Sequence, residues 1–269
     1  MKGTNLVERW YERSLTRRLV HIPNHIAIIQ DGNRRFARSQ GLDTSAGHRA
    51  GADTTERMLD WVCELGIPHL SIYSFSTENF NRPKKEVEEL FALFQEMLRR
   101  VPADERVHRH GLRVRVLGDR ALLPHELRKC IEEAEESTAH YRNYHLNIAL
   151  AYGGRNEILN AVRSILSEVR RGALEVGKID IPVVERFLNH GLNLPPVDLI
   201  VRTGNERRIS NFLPWLANGN ESAVYFCAPY WPLFRKIDLL RAIRVYDQRM
   251  RHLSRPKAAL AELEVTERS

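Results

Sequence analysis

The chain has 269 residues, 43% of them hydrophobic and 28% charged, the balance of a globular protein able to bury a sizeable core. Its formal net charge of +7 favours anionic partners, whether phosphorylated metabolites, nucleic acid or an acidic lipid surface, without choosing among them. No apolar run approaches the ~20 residues of a membrane span, residues 1–20 are too charged for a secretory signal, and Cys63, Cys130 and Cys227 are too scattered for a zinc site or a disulfide framework, so one cytoplasmic domain over residues 1–269 is expected, ending in a tail over 250–269.

At the start of the chain, Leu6, Trp10, Leu15 and Leu19, with charges between them, predict an amphipathic helix or arm within residues 1–20. Ile26, Ala27, Ile28 and Ile29 then form a short apolar run suited to a strand covered on both faces. The run stops at Asp31, Gly32, Asn33, Arg34 and Arg35. Gly32 opens backbone geometry closed to other residues and lets a ligand approach the amides, and the arginines supply fixed positive charge. A carboxylate repels an anion unless a divalent cation stands between them. Asp31 beside arginines therefore reads as a metal-assisted phosphate site, with Mg²⁺ preferred because it bridges one or two carboxylates to phosphate oxygens. The alternative is a strand-ending turn closed by an Asp–Arg ion pair. Residues 41–47 read as a polar loop. Residues 50–66 read as a helix with Met58, Leu59, Val62 and Leu65 on one face and Gly66 as its stop.

A second strand over 69–75 leads into the polar cluster 76–83 and then a long helix. There Val87, Leu90, Phe91, Phe94, Met97, Leu98 and Val101 make one broad apolar face, either core or the wall of an apolar tunnel. Strands over 112–118, 146–151, 198–202 and 223–226, and helices over 124–138, 158–169, 181–188 and 237–249, complete the pattern. Such alternation predicts right-handed βαβ units, hence an α/β fold with an open, mostly parallel six-stranded sheet and helices on both faces. Ligands in these sheets bind beyond the carboxyl ends of the strands. Collected there are the residues from Asp31 to Arg35; Ser76, Thr77, Glu78 and Asn79; Gly118 and Asp119; Gly153, Gly154 and Arg155; and residues 202–210, where Arg202 and Arg208 can clamp a phosphate with Ser210 as hydroxyl donor. Two such clusters point to two anionic ligands. His48, between Gly47 and Gly51, is a candidate proton carrier or phosphate donor, with a structural role as the alternative. The sequence contains no G-x-x-x-x-G-K-[ST], G-x-G-x-x-G, H-E-x-x-H or G-x-S-x-G motif.

As a set, residues 25–36, 47–51, 74–83, 152–155, 202–212 and Tyr230-Trp231-Pro232 closely resemble, in order and spacing, the motifs of the cis-prenyltransferases, the undecaprenyl diphosphate synthase family, over about residues 21–249. The resemblance implies an Mg²⁺-dependent enzyme that condenses isopentenyl diphosphate repeatedly onto an allylic diphosphate primer. It also implies a cytoplasmic homodimer with peripheral membrane contact for product release and no nucleic-acid partner. In that reading Asp31 handles the metal and helps the allylic diphosphate leave. Gly32, Asn33, Arg34, Arg35 and Phe36 hold the primer's diphosphate, and His48 belongs to the substrate site. Ser76, Thr77, Glu78, Phe80 and Arg82 form a loop closing over substrate, and Asn79 assists proton removal. Arg202, Arg208 and Ser210 hold isopentenyl diphosphate. A second metal-associated glutamate is implied as well; counting forward from Arg208 lands on Glu221, and counting back from Tyr225 and Phe226 lands on Ala223.

The chain departs from the bacterial pattern at Gln30, Arg34, Phe36 and Thr44, where many bacterial members have methionine, glycine, tryptophan and arginine. These variants, with Asn218-Gly219-Asn220-Glu221, look more like archaeal members and imply a geranylgeranyl rather than farnesyl primer. The lack of a D-D-x-x-D run separates the chain from trans-type prenyl synthases. A competing reading is a non-catalytic partner subunit, which would typically lose the motif around Asp31; another is a nucleic-acid-binding surface, which needs a basic patch and steep salt dependence. Product length is expected to be set by a tunnel floor within residues 87–98 and 146–150.

Overall fold

The structure, a computed structural model, describes residues 6–217 and 222–253, with the side chains of residues 189 and 190 left aside. Its strands are β1 (His25–Ile29), β2 (His69–Ser76), β3 (Leu112–Leu117), β4 (Tyr144–Tyr152), β5 (Leu199–Arg202) and β6 (Ala223–Phe226), joined in the order β3-β4-β2-β1-β5-β6. Every pairing is parallel, so the sheet is parallel throughout rather than mostly so. The helices are α1 (Leu6–Arg18), α2 (Asn33–Ser39), α3 (Thr44–Glu64), α4 (Lys84–Arg100), α5 (Glu105–His110), α6 (His125–Thr138), α7 (Gly154–Arg170), α8 (Ile181–Phe187) and α9 (Lys236–Leu253).

Period-2 alternation divides each strand between two cores. Ile26 and Ile28 of β1 join Leu70, Ile72, Val114 and Val116 and the apolar faces of α3, α4, α6 and α9 on one side of the sheet. Ala27 and Ile29 face the other side with Tyr73, Ala149, Phe212 and Leu213, where the Tyr73 and Phe212 rings stack at 4.5 Å. Burying one such aliphatic side chain stabilises by about 1.5–3 kcal/mol, so a one-residue slip of β1 would exchange both faces at once. The amphipathic helix expected near the amino terminus is α1. It docks through Leu15 on Ile237 and Leu240 of α9.

Several local readings change: α7 starts at Gly154 rather than at residue 158, and α9 runs to Leu253 rather than to 249. Residues 33–39 form α2, a seven-residue helix too short to show a period. The helix expected from 50 starts at Thr44, because Asp43 caps it by accepting the Ala46 N–H at 2.8 Å; the loop expected over 41–47 shrinks to residues 40–43. Residues 105–110 form α5, capped by Asp104, which accepts the Arg106 N–H at 2.9 Å.

Candidate active site

Connections leave β1 toward β2 on one side and reach β5 on the other, so the sheet switches direction between β1 and β5, and a crevice opens beyond their carboxyl ends. The register places Ile29 opposite Arg202, which brings Asp31 over the end of β5. There the Asp31 carboxylate accepts from Arg202 Nη2 at 2.8 Å and from Arg35 Nη2 at 2.9 Å. The Thr203 hydroxyl accepts the Asp31 N–H at 2.9 Å, and the Trp231 N–H donates to the Asp31 carbonyl at 3.0 Å. The aspartate is thus fixed from three elements. Charge-assisted bonds of this kind contribute about 1.5–3 kcal/mol each, and each carboxylate oxygen keeps a lone pair for a ligand.

Gly32 has φ +112°, and a Cβ there would lie 2.8–2.9 Å from Tyr230 atoms. The residue is glycine both for its backbone and for the approach of the 230–232 segment. Gly51 serves contact in the same way: a Cβ would meet Asn33 Oδ1 at 2.5 Å. The gap seats α2 against α3 and leaves Asn33 Oδ1 buried without a partner, an acceptor at the mouth of the crevice. Trp231, fully buried, closes the cradle by donating its indole N–H to the Gly51 carbonyl at 2.8 Å.

The Arg202 side chain is buried, and Nη1 donates to the Arg208 carbonyl at 2.6 Å and to the Ser210 hydroxyl. Arg202 therefore ties Asp31 to the 208–210 loop, whereas Arg208 is well exposed and ion-paired to Glu206 at 3.0 Å. Asn205, Ser210, Asn211 and Leu213 all have positive φ, a strained run of about 1–3 kcal/mol per residue that persists because Phe212 and Leu213 are anchored in the core. Strain of this kind clusters at ligand sites.

A residue the sequence reading passed over organises the other wall. Glu86, on the first turn of α4 and 7% exposed, accepts from Arg82 Nη1 at 3.1 Å and His48 Nε2 at 3.3 Å, and it pairs with Arg34 Nε at 3.5 Å. Burial pushes the His48 imidazole below its ordinary range, with the Glu86 hydrogen bond opposing. His48 is neutral near pH 7 on that account, and a neutral ring here is a donor–acceptor rather than a fixed cation. The signal in the sequence was a charged residue one position before Val87 and four before Leu90, on the buried side of an amphipathic helix, where glutamate is found only when paired.

Asp31, Gly32, Asn33, Arg34, Arg35, His48, Arg82 and Arg208 line one cavity of about 470 Å³. Arg202 and Ser210 reach it through Asp31. Ser76, Thr77, Glu78, Asn79, Phe80 and Phe36 do not line it. Asn79 instead accepts the Ser76 N–H at 3.1 Å in a short 3₁₀ turn over Thr77–Asn81, and Phe80 packs edge-on against Phe75 at 5.0 Å. Glu221 lies outside the described residues. Below the charged mouth the cavity runs between α4, α3 and the sheet, along Leu90, Leu93, Phe94 and Met97 and over Ile72, Ile148 and Leu150. The expected tunnel is present, and it extends past the expected floor to Val101, Val107 and Leu112. A charged mouth over an apolar bore suits an amphipathic substrate with an anionic head.

A family model described as "Putative undecaprenyl diphosphate synthase" matches residues 29–254. Similar proteins include the tritrans,polycis-undecaprenyl-diphosphate synthase (geranylgeranyl-diphosphate specific) of Halobacterium salinarum, 49% identical over 253 residues and covering 93% of this chain and 83% of that protein. The protein of the same name from Archaeoglobus fulgidus is 50% identical over 244 residues, covering 90% and 96%. Among solved structures, lavandulyl diphosphate synthase from Lavandula x intermedia in complex with dimethylallyl diphosphate matches with a TM-score of 0.78 and 32% identity over 84% of this chain and 95% of that one. With fold, motif order and relatives in agreement, the chain belongs to the undecaprenyl diphosphate synthase family, the cis-prenyltransferases.

Proposed function

We propose that this chain, acting as one domain, uses geranylgeranyl diphosphate as primer and condenses isopentenyl diphosphate onto it repeatedly with Mg²⁺, giving a long cis-polyprenyl diphosphate. The observation that carries the reading is the Asp31–Arg35–Arg202 cluster standing at the mouth of an apolar bore. Arg34, Arg35 and the free amides around Asn33 suit the primer's diphosphate, with its hydrocarbon in the bore. Arg208 and Ser210, joined to Asp31 through Arg202, suit the second diphosphate. Ionising the primer builds negative charge on the leaving group, which fixed cations stabilise more in the transition state than before it. The apolar walls exclude water from the allylic cation. The role of Asn79 in proton removal rests on the family resemblance, since its side chain caps its own turn here.

Among the described residues, no group of three or more His, Cys, Asp or Glu side chains is arranged to hold a metal. The donors fit an ion that arrives on the diphosphate: Asp31 offers one carboxylate with open lone pairs, and Mg²⁺ commonly takes one or two carboxylates plus phosphate oxygens and water. Bound there, it would neutralise charge on the departing diphosphate. Leu159, Val162 and Leu166 form an exposed apolar stripe on α7, which supports a homodimer. Leu6, Val7 and Trp10 of α1 are exposed beside Arg9 and Arg13, which supports peripheral contact of a cytoplasmic protein with membrane lipid; no helix among the described residues is long and apolar enough to cross a membrane.

The test is incubation of purified protein with isopentenyl diphosphate, Mg²⁺ and either geranylgeranyl or farnesyl diphosphate. Elongated products are expected, with higher kcat/KM for geranylgeranyl, and Asp31→Ala is expected to lower kcat by at least about a hundredfold, the scale of losing a transition-state electrostatic contact. Wild-type-like activity in that variant would remove Asp31 from the chemistry, and a farnesyl preference would refute the primer assignment.

A further inference from the structure

Next to Asp31 the apolar wall of the bore is interrupted by three polar side chains. Period-2 alternation aims Ile26 and Ile28 of β1, with Leu70 and Ile72 of β2, at the α3 and α4 side of the sheet. The next residues on that face are Gln30 and Ser74, and both line the cavity. The register that pairs Ile28 with Ile72 and Ile29 with Tyr73 sets them side by side, and the Ser74 hydroxyl donates to Gln30 Oε1 at 3.2 Å. Thr55 of α3 lines the cavity too and accepts from Gln30 Nε2 at 2.7 Å. The Thr55 hydroxyl itself donates to the Gly51 carbonyl at 3.1 Å, an oxygen that can only accept. That bond fixes the direction of the whole chain. Thr55 has no proton left for Gln30, so the amide turns its nitrogen to Thr55 and its oxygen to Ser74. Both hydroxyl protons are thus committed to protein acceptors, and the three oxygens have only lone pairs to offer a ligand. Covalent neighbours set the level of this trio. Gln30 directly precedes Asp31, and Thr55 stands one turn of α3, about 6 Å, beyond Gly51, which meets Asn33. The trio therefore lies within a turn of the residues that suit the primer's diphosphate, beside the first carbons of its hydrocarbon.

We propose that Gln30, Thr55 and Ser74 form an electronegative collar that stabilises the allylic cation of the primer, and are catalytic residues in addition to Asp31 and the arginines. This inference rests on the elongation reading above. When the primer ionises, its C1–O bond breaks and the electron pair leaves with the diphosphate. Positive charge then spreads over C1 and C3 until the double bond of isopentenyl diphosphate supplies the pair for the new carbon–carbon bond. The arginines stabilise the departing anion but oppose the cation beside it. Oxygens that present lone pairs to the cation offset this, and because their hydrogen bonds orient them before the reaction they need no reorganisation during it. In the ground state the same collar is a disadvantage. A neutral hydrocarbon covering polar atoms strips them of water, whereas an apolar wall would gain by its burial. The collar thus interacts better with the transition state than with bound primer, the condition for raising kcat rather than lowering KM.

The experiment separates binding from chemistry in Gln30→Leu and Thr55→Val. The first removes the amide; the second keeps the side chain's shape, removes one oxygen and leaves the Gln30 N–H without its acceptor. Two quantities are measured: the single-turnover rate of the first condensation of geranylgeranyl diphosphate with isopentenyl diphosphate, and the Kd of geranylgeranyl thiodiphosphate, whose carbon–sulfur bond resists ionisation. The rate is expected to fall at least about tenfold in each variant, less than the roughly hundredfold or more for a donor facing a full oxyanion, because the cation's charge is spread over two carbons. The analogue is expected to bind as tightly as to the wild type, or more tightly. Gln30→Met, whose thioether is a weak acceptor, should fall between the wild type and Gln30→Leu. Thermal unfolding verifies the fold, and Thr55→Val keeps the test open if Gln30→Leu is unstable. A rate within about twofold of wild type in both variants would overturn the collar. So would a loss of rate matched by an equal loss of analogue affinity, which is the mark of a merely structural tie. A wild-type chain that binds the analogue and condenses nothing would overturn the elongation reading and the collar with it.

Discussion

Glu86→Gln keeps the shape of a side chain on which two arginines and the neutral His48 ring converge and removes the charge that holds them. The carboxylate is 8% exposed, against 24% for Arg82, 7% for His48 and 49% for Arg34. Removing one partner from a fully buried pair costs about 3–5 kcal/mol, while a solvated pair contributes less than about 1 kcal/mol. With Arg34 half in water and Arg82 partly so, the expected loss lies between, about 2 kcal/mol. At about 2–4 °C per kcal/mol for a chain near this size, Tm should fall by about 4–8 °C in calorimetry. The kinetic effect is larger than stability alone would give. Arg34 and Arg82 lose the anchor that aims them at the cavity, and one charge-assisted hydrogen bond to a diphosphate is a matter of about 1.5–3 kcal/mol, so kcat/KM for the allylic primer should drop about 10- to 100-fold. His48 loses its raising partner and becomes still harder to protonate. A variant whose Tm stays within about 1 °C and whose kcat/KM stays within about twofold would refute the claim that Glu86 positions these cations.

Two further perturbations test the sheet and the turn. His25, His69 and His145 lie side by side at the amino ends of β1, β2 and β4, with the His69 and His145 rings stacked at 4.4 Å; burial lowers all three imidazoles, His69 to about 4. An unfolded His69 takes up its proton near the ordinary 6.5 while the folded one resists until about 4, so stability is full above 6.5 and falls as pH drops through that window. The linkage is about 3 kcal/mol, reduced to about 2 by partial solvent screening; His69→Gln should flatten the pH dependence of urea unfolding, and a curve that keeps its full slope would count against the assignment. Gly32→Ala forces a Cβ into Tyr230 at a left-handed backbone, a cost of at least about 1–2 kcal/mol; Tm should fall by at least about 2–4 °C and primer kcat/KM with it, whereas an unchanged melting curve and unchanged kinetics would show that the turn is not held as described.

The sheet was legible in the sequence because burial on both faces leaves a plain mark: β1 and β5 are unbroken apolar runs, and each stops at charged residues that the parallel topology is bound to carry to one rim. The elements that escaped lacked such a mark. α2 is two turns long and carries three arginines, so its helical state comes from the Gly32 turn and from contact with α3, not from a period of its own. The early start of α3 was written in Asp43 as a cap, but Gly47 reads as a loop residue, and only its close approach to Asn33 and Ala37 of α2 shows why glycine stands inside a helix.

The apolar face of α4 poses a deeper limit. Val87 and Phe91 are buried against other side chains, while Leu90, Leu93, Phe94 and Met97 border the bore, yet all are ordinary core residues in the sequence. Whether an apolar face meets protein or a cavity depends on what the neighbouring elements fail to supply, and no residue on the face itself records that. Charged residues record it indirectly. Glu86 sits on the buried face of α4, which is otherwise apolar, and an ionised carboxylate persists there only beside a cation or water. Glu86 therefore marks the place where the apolar packing stops and the arginines of the substrate mouth begin, with Arg34 and Arg82 on its carboxylate.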